Sequence, residues 1–550
     1  MTDRLSIALA QTNPTVGNID ANTDRIRAAR AEAAARGADL VVFPELSVSG
    51  YPPEDLVLKP FFLDRVEAAV RALAGETVDG GPALLVGAPW REEGRLYNAV
   101  LLLDRGVIAA TRFKVDLSGS GVFDETRLFA AGPPPGPVNL RGVRLGIPVC
   151  EDIRTPDVVE TLAESGAELI VVPNGSSFET GKQDERIQIA VHRVIESGLP
   201  LLYVNQVGGQ DELIFDGGSF ALAADGALVA QAPSFAEHLL VTRWERGADE
   251  SWACREAETI APAEGLEAVY AALVLGVRDH VNKNHVPGVL IGLSGGLDSA
   301  LTAAVAVDAL GAERVHAVTM PSPHTAKGSL EDAAETAELL GCRLDRIPIA
   351  PAVKAFDSML APALAGREPG VAAETLQARA RDVTLMALSD QFGALVLATG
   401  SKSEMLLGRA TPCGGYAVLK DVYRTTAGAL ARWRNAHVPA GARGPAGRVV
   451  PERVLAKASA GELGPGQTDR DALPPYELLD DLLEGLVERD LGLADLAGRG
   501  HDAELVARVW RMLHAAERKR RQGPPGPRIA RRPLNRERRH PITSGFTDLA

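Results

Sequence analysis

Short, nearly unbroken apolar runs recur along the first half of the chain: Leu5–Ala10, Leu40–Phe43, Ala83–Val86, Val100–Leu103, Val143–Val149, Leu169–Val172 and Leu201–Val204. Runs of this length and composition predict buried strands. Between several of them apolar residues return at helical spacing, over Ile19–Arg36, Phe61–Leu73 and Asp184–Ser197. Such alternation predicts a layered α/β sheet. Strand signals at Ser219–Ala230 and His238–Arg243 close the segment. From Glu245 to Pro262 the chain is polar, acidic and aperiodic, which predicts a linker. A second α/β unit opens with a helix over Leu266–Val281 and carries strands at Val289–Leu293, Val315–Met320 and Ala394–Ala398. After Thr411 the chain is rich in Gly and Pro, then helical near Tyr476–Glu488 and Glu504–Arg518, and it ends basic. The expected organisation is a first domain over 1–245, a linker over 246–263 and a second domain over 264–550, with no internal repeat.

Composition narrows the class. A chain of 550 residues is too long for one core. Its formal charge of −14 argues against a general nucleic-acid or membrane binder. Met-Thr-Asp-Arg at the start is no apolar signal region, and no apolar run is long enough to span a bilayer. Cys150, Cys254, Cys342 and Cys413 have neither metal spacing nor the pattern of a disulfide framework. A cytoplasmic enzyme is expected.

The sharpest chemical signal is Val289-Leu-Ile-Gly-Leu-Ser-Gly-Gly-Leu-Asp-Ser299. A strand leads into the small-residue loop Ser294, Gly295, Gly296, and Asp298 and Ser299 open an Ala/Val-rich helix. Strand, Gly-rich turn and helix N-terminus form an anion cradle, because backbone N–H groups and the helix dipole face the ligand. Asp298 suits such a cradle when a metal ion joins it to the phosphates. The Gly-Lys-Ser/Thr of a P-loop is absent. The stretch resembles the Ser-Gly-Gly-x-Asp-Ser pyrophosphate loop of the ATP-pyrophosphatase enzymes, which adenylate a carboxylate or carbonyl. A plain strand-to-helix turn with a capping Asp is the bland alternative.

In the first half, Glu45 follows Val-Val-Phe-Pro, Lys114 follows Thr-Arg-Phe, and Cys150 follows Gly-Ile-Pro-Val. All three sit at predicted strand ends, where open α/β sheets place ligands. A thiol nucleophile needs a base and a positive charge. Glu45 would take the proton, and Lys114 would stabilise the oxyanion of a tetrahedral intermediate. Taken singly, each has a structural reading as a strand-end cap, a surface lysine or a core thiol. The words Phe43-Pro-Glu45-Leu, Arg112-Phe-Lys114, Gly121-Val-Phe-Asp-Glu125 and Cys150-Glu-Asp152 resemble the nitrilase (carbon–nitrogen hydrolase) superfamily. Its Glu-Lys-Cys triad falls on Glu45, Lys114 and Cys150, and a second glutamate that positions the amide falls on Glu125. Asn174-Gly-Ser-Ser-Phe, Gly181-Lys182, Arg186 and the stretch from Tyr203 to Ser219 resemble the glutaminase domain of the glutamine-dependent NAD synthetases. That resemblance implies glutamine binding by Glu125, Ser177 and Lys182, and it covers nearly the whole chain.

The second half resembles the same family. The implied fold is a nitrilase-like αββα sandwich followed by a doubly wound parallel sheet of the adenine nucleotide alpha hydrolase-like type. The resemblance implies ATP binding by Ser294, Gly295, Gly296, Asp298, Ser299, Met320 and Thr399. It implies Mg2+ on Asp298 and Glu404, and acceptor binding by Arg379, Lys420 and Lys519. The basic segments Lys519–Pro525 and Arg531–His540 would fold over the dinucleotide. The implied reaction is ATP-dependent amidation of deamido-NAD with ammonia from glutamine. The implied partners are small molecules and further copies of the chain in a homo-oligomer, with no nucleic acid and no membrane.

Several family positions differ. Leu117-Ser-Gly-Ser120 lacks the family's tyrosine, Thr375 and Ser401 each replace an asparagine, and Thr411-Pro-Cys-Gly-Gly415 lacks the usual acidic residue. A site stripped of polar partners discriminates less well for its substrate. The departures predict weaker glutamine use, and either poor turnover of deamido-NAD or preference for another carboxylate. Two further readings are an amidotransferase of the same build acting on a different carboxylate, and a non-catalytic relative retained for binding nucleotides.

Overall fold

The computed structural model describes residues 3–119, 123–364, 371–410, 413–456, 473–534 and 538–546, with the backbone alone for 371–374. Ser120, Gly121, Thr411 and Pro412 therefore lie outside the described residues. The chain divides between Glu264 and Gly265 into two units.

The apolar runs of the first unit become strands β1 (Arg4–Gln11), β2 (Leu40–Val42), β3 (Ala83–Glu92), β4 (Arg95–Asp104), β5 (Val107–Phe113), β6 (Val138–Leu140), β7 (Val143–Gly146), β8 (Leu169–Asn174) and β9 (Leu201–Asn205). There follow β10 (Val207–Gln210), β11 (Leu213–Asp216), β12 (Phe220–Leu222), β13 (Leu228–Gln231), β14 (His238–Arg246) and β15 (Trp252–Glu256). The helices are α1 (Ile19–Ala35), α2 (Pro60–Glu76), α3 (Asp157–Glu164) and α4 (Lys182–Ser197). Among the described residues one sheet has the order β15-β14-β1-β2-β3-β4-β5 and a second the order β13-β12-β9-β8-β7-β6.

Alternation along the strands builds the layers. On β3, Leu84 and Val86 pack with Phe62, Val66 and Val70 of α2, while Ala83 and Leu85 turn to the other face. There they meet Leu145 of β7, Val171 of β8 and Leu202 of β9. The outer face of the second sheet is covered by Val158 and Leu162 of α3 and by Ala190 and Val194 of α4. Helices, sheet, sheet, helices: this is the expected αββα sandwich. Each such Leu or Val contributes roughly 1.5–3 kcal/mol relative to exposure.

One expectation needs correction here. The segment 246–263 is no bare linker, because β15 pairs antiparallel with β14, Arg246 opposite Trp252 and Arg243 opposite Glu256. Its charged outward residues hide the alternation, and Trp252 supplies the buried anchor at 4% exposure. The stretch Ser219–Ala230 is two antiparallel strands, β12 and β13, with Gly226 at φ +82° in the turn between them.

The second unit holds α5 (Gly265–Lys283), β16 (Val289–Gly292), α6 (Leu297–Leu310), β17 (Val315–Thr319), α7 (Lys327–Leu340), β18 (Arg343–Arg346), α8 (Ala350–Leu364), α9 (Val371–Phe392), β19 (Leu395–Ala398), α10 (Lys402–Leu406) and β20 (Tyr416–Ala417). It continues with α11 (Arg424–Ala436), α12 (Glu452–Ala456), α13 (Tyr476–Val487), α14 (Leu493–Gly498), α15 (Ala503–Ala515) and α16 (Glu517–Arg520), so the expected helix over Glu504–Arg518 breaks at Ala516. Its sheet runs β18-β17-β16-β19-β20, and every neighbouring pair is parallel. Strand order reverses on either side of β16, which makes the sheet doubly wound with its switch point between β16 and β19. Ligands of such sheets bind outside the strand carboxyl ends at that point. No helix among the described residues is long and apolar enough to cross a membrane.

Candidate active sites

Glu45, Lys114 and Cys150 lie far apart in sequence, and the sandwich brings their side chains together. Glu45 and Lys114 are fully buried. Lys114 Nζ lies 2.8 Å from Glu45 Oε1 and 2.7 Å from Glu125 Oε2. Glu125 also accepts from Ser118 N at 3.1 Å and from Tyr51 Oη at 3.4 Å. Gly175 is required beside them. A Cβ there would stand 2.8 Å from the Tyr51 ring and 3.0 Å from Glu45 Oε2.

Cys150 begins a turn at φ +51°, a left-handed conformation that costs a non-glycine residue energy and is held by its surroundings. Asp152 supplies the hold. Its carboxylate accepts from Val149 N at 2.8 Å, and from Val115 N and Asp116 N at 3.0 and 2.7 Å. The Cys150 turn is thereby fastened to the segment that follows Lys114. A cleft of about 340 Å³ opens on Cys150 and is lined also by Asn174, Ser176, Lys182, Arg186 and Tyr203.

The electrostatics suit a shared proton. Burial raises the pKa of Glu45, Lys114 opposes it and Glu125 adds to it, with the result at about 7. Burial and then Glu45 push the Cys150 thiol well above its ordinary value. Burial works against the cation of Lys114, but Cys150, Glu45 and Glu125 together outweigh it and hold its pKa well above normal. At neutral pH the arrangement is a protonated thiol, a carboxylate poised to take its proton and a fixed positive charge.

In the second unit, the Ser294–Ser299 loop lies at the switch point. Ser294 Oγ and Ser299 Oγ are 3.0 Å apart, Gly296 N donates to Ser294 Oγ at 3.2 Å, and Ser299 Oγ donates to Gly296 O at 3.0 Å. Gly295 has φ +80°, and a Cβ there would meet Ser329 O at 2.0 Å. Asp298 sits in the first turn of α6 and Glu404 in the first turn of α10, which follows β19. No group of three or more His, Cys, Asp or Glu gathers at one point among the described residues. Asp298 and Glu404 are each the kind of ligand that Mg2+ takes, an ion commonly held by one or two carboxylates together with substrate phosphates.

Residues 6–253 match the carbon-nitrogen hydrolase family model and residues 269–523 the NAD synthase model. The chain is 46% identical to a glutamine-dependent NAD(+) synthetase of Rhodobacter capsulatus over 100% of both chains. It is 40% identical to one from Acinetobacter baylyi over 98% of each. The chain belongs to the glutamine-dependent NAD(+) synthetase family. A solved structure of such a synthetase from Acinetobacter baumannii, in complex with ADP, matches with a TM-score of 0.78 at 39% identity over 99% of both chains. A synthetase from Cytophaga hutchinsonii shares the fold, with a TM-score of 0.80 at 20% identity and 98% coverage of each.

Within this NAD synthetase family member, the other expected residues are placed as follows. Lys182 lines the Cys150 cleft, whereas Ser177 is buried, its carbonyl accepting from Arg186 Nη2 at 2.8 Å. Met320 packs its side chain into the core, and its carbonyl accepts from Arg381 Nε at 3.2 Å. Thr399 follows β19, half-buried. Arg379 is half exposed, 3.6 Å from Asp382. Lys420 Nζ donates to Pro524 O at 2.8 Å and Lys519 Nζ to Gly408 O at 2.9 Å. The basic C-terminal segment is no plain solvated tail. Ile529 N and Ala530 N donate to Asp421 at 2.7 and 2.6 Å, and Arg520 and Arg528 are buried.

Sequence reasoning gave no role to Asp152, Asn98, Arg186 or Arg424. Arg186 ties Ser176 and Ser177 to Asp216 under the cleft. Arg424 Nη1 stands 3.4 Å from Asp298 Oδ1. The available signals were an Asn interrupting the apolar strand Arg95–Asp104 and an Arg opening a helix after Lys420-Asp-Val-Tyr423.

A pH profile follows from Glu45. As the base expected here it would act only when ionised, so the hydrolysis of glutamine should fall as pH drops through about 7. The fall approaches tenfold per unit below that value. Initial rates of glutamate release between about pH 5.5 and 8.5 check this. A flat profile across the range would place the base elsewhere.

Proposed function

We propose that this chain makes NAD from deamido-NAD, with ATP as activator and glutamine as nitrogen donor. The observation that carries the reading is one chain with two built sites, the Glu45-Lys114-Cys150 cluster and the Ser294–Ser299 cradle at a switch point.

Cys150 passes its proton to Glu45 and attacks the glutamine carboxamide. Lys114 faces the oxyanion, and Glu45 returns the proton to departing ammonia. A glutamyl thioester remains, which water hydrolyses. Glu125 and Lys182 orient the amide and the amino-acid head. In the second unit the cradle holds the ATP phosphates, and Met320 and Thr399 flank the nucleoside. The nicotinate carboxylate of deamido-NAD attacks the α-phosphorus, pyrophosphate leaves, and ammonia then displaces AMP. Mg2+, held by Asp298 and Glu404, would offset charge on the phosphates. Arg379, Lys420 and Lys519 are proposed to bind the acceptor. Lys420 and Lys519 would then exchange a backbone carbonyl for a phosphate.

Ammonia is protonated in bulk water and loses its nucleophilicity, so the proposal includes its delivery to the acceptor without equilibration with solvent. It also includes a homo-oligomer, because α8 and α9 expose Phe356, Met359, Leu360, Val383 and Met386. The cytoplasm, which supplies ATP and glutamine together, is the proposed compartment.

The test is pyrophosphate release over a panel of carboxylates. Release with deamido-NAD matched by NAD formation, at turnover on the order of 1–1000 per second, is expected. Release with another carboxylate alone would move the acceptor. Release with none would leave a nucleotide-binding protein.

A further inference from the structure

We infer that Asn98 is a positioning residue of the glutamine site, its amide NH2 selecting which oxygen of Glu45 receives the thiol proton. The inference rests on the proposed glutaminase reading and adds to it.

Asn98 lies on β4 and is fully buried. Strand alternation puts it on the same face as Val100 and Leu102, which pack between the two sheets. A primary amide there is expensive unless its polar atoms are bonded. Nδ2 donates to Glu45 Oε1 at 2.7 Å and to Glu125 Oε1 at 3.0 Å. The orientation of the amide follows from chemistry, since both neighbours are carboxylates and only the NH2 end can donate. Its Oδ1 has no hydrogen-bond partner among the described residues, so those two donations alone orient the group.

The effect falls on one atom. Glu45 Oε1 accepts from both Asn98 and Lys114, whereas Glu45 Oε2 accepts from neither, and Cys150 is the further side chain that bonds this carboxylate. Two donors make Oε1 the less basic oxygen, and Oε2 is left for the proton of Cys150. The same amide bridges Glu45 to Glu125 and so lowers the repulsion between two carboxylates that share one lysine. The backbone of Asn98 assists, its carbonyl accepting from Lys114 N at 2.9 Å. One residue therefore contacts both carboxylates through its side chain and the lysine through its main chain.

Two full-length variants test this. Asn98→Asp keeps the volume, removes both donors and adds a third carboxylate. Asn98→Ser keeps a single donor. The measurements are glutamine hydrolysis against pH and the rate of Cys150 alkylation by iodoacetamide against pH. For Asn98→Asp, kcat should fall on the order of a hundredfold with KM changed only a few-fold. The acid limb should move upward by about one pH unit or more, because the ionised form of Glu45 has lost a donor and gained a like charge. Asn98→Ser should lie between that variant and the parent. The alkylation profile should move with the acid limb.

If the parent chain fails to hydrolyse glutamine through Cys150, the glutaminase reading falls first. If the parent works and both variants keep its acid limb, Asn98 is a packing residue and this inference is overturned, whatever happens to kcat. Failure of both variants to fold would also assign Asn98 to the fold and overturn it.

Discussion

Replacing Cys150 by Ala should abolish amidation supported by glutamine and leave amidation supported by ammonium salts. The thiol is the only group of the cluster that can form the acyl bond. In the proposed reaction Glu45 and Lys114 are its base and its countercharge, joined at 2.8 Å and fully buried. Loss of the nucleophile should reduce the glutamine-dependent rate by more than about three orders of magnitude. The substitution removes one sulfur at a position that is already 7% exposed, and the turn keeps its carboxylate fastener in Asp152. The αββα unit should therefore persist, and thermal melting of the variant checks that it does. The Ser294–Ser299 cradle uses no group from this cluster, so exogenous ammonia should still meet an activated acceptor. Equal loss with both nitrogen sources would sink the division of labour between the units.

Much of this was readable from residues because the signals are local. A strand, a Gly-rich turn and a helix start define the Ser294–Ser299 cradle within a single stretch, and the hydroxyls of Ser294 and Ser299 bond each other and Gly296 within it. Glu45, Lys114 and Cys150 were singled out for another reason: the words around them resemble a known superfamily, and Glu45 and Cys150 also follow the apolar runs Leu40–Phe43 and Val143–Val149. What stayed hidden depends on pairing across the chain. Asn98 looks like an imperfection in an apolar strand until Glu45 and Glu125 are placed on either side of it. β15 looks like an acidic linker, since only pairing with β14 shows which of its residues face inward. Lys402 sits in Thr399-Gly-Ser-Lys-Ser-Glu404, where a phosphate-binding role would be the natural guess. It is instead buried against Asp421 at 2.6 Å and also donates to Glu488 and to the carbonyl of Arg532. That role is invisible without the C-terminal segment. The altered family position at Ser120 lies outside the described residues. Thr375 is an exposed residue of α9, and Ser401 is buried at the start of α10.

Replacing Asp298 by Asn should abolish pyrophosphate release with either nitrogen source while glutamine hydrolysis continues. Asp298 stands in the first turn of α6, immediately after the cradle glycines, where backbone N–H groups favour an anion. A second negative group beside bound triphosphate is repulsive unless a cation joins them, and that is the reason to assign Mg2+ there. Arg424 faces the carboxylate at 3.4 Å, and both side chains are nearly buried, at 11% and 12% exposure. Arg424 is therefore one group that would compensate Asp298 before a cation and phosphates arrive. The amide of Asn keeps the shape but carries no charge for Mg2+. The charge that develops on departing pyrophosphate is then poorly balanced, and the rate should fall by at least about a hundredfold. Arg424 keeps its stacking over the Tyr476 ring at 5.5 Å, so the loss of its carboxylate partner should lower the melting temperature without unfolding the unit. Glu404→Gln should act in the same direction, and both variants should need more Mg2+ for half-maximal rate. Unchanged pyrophosphate release in both variants would move the metal site to other residues. Unchanged release in one alone would leave the other as its principal carboxylate.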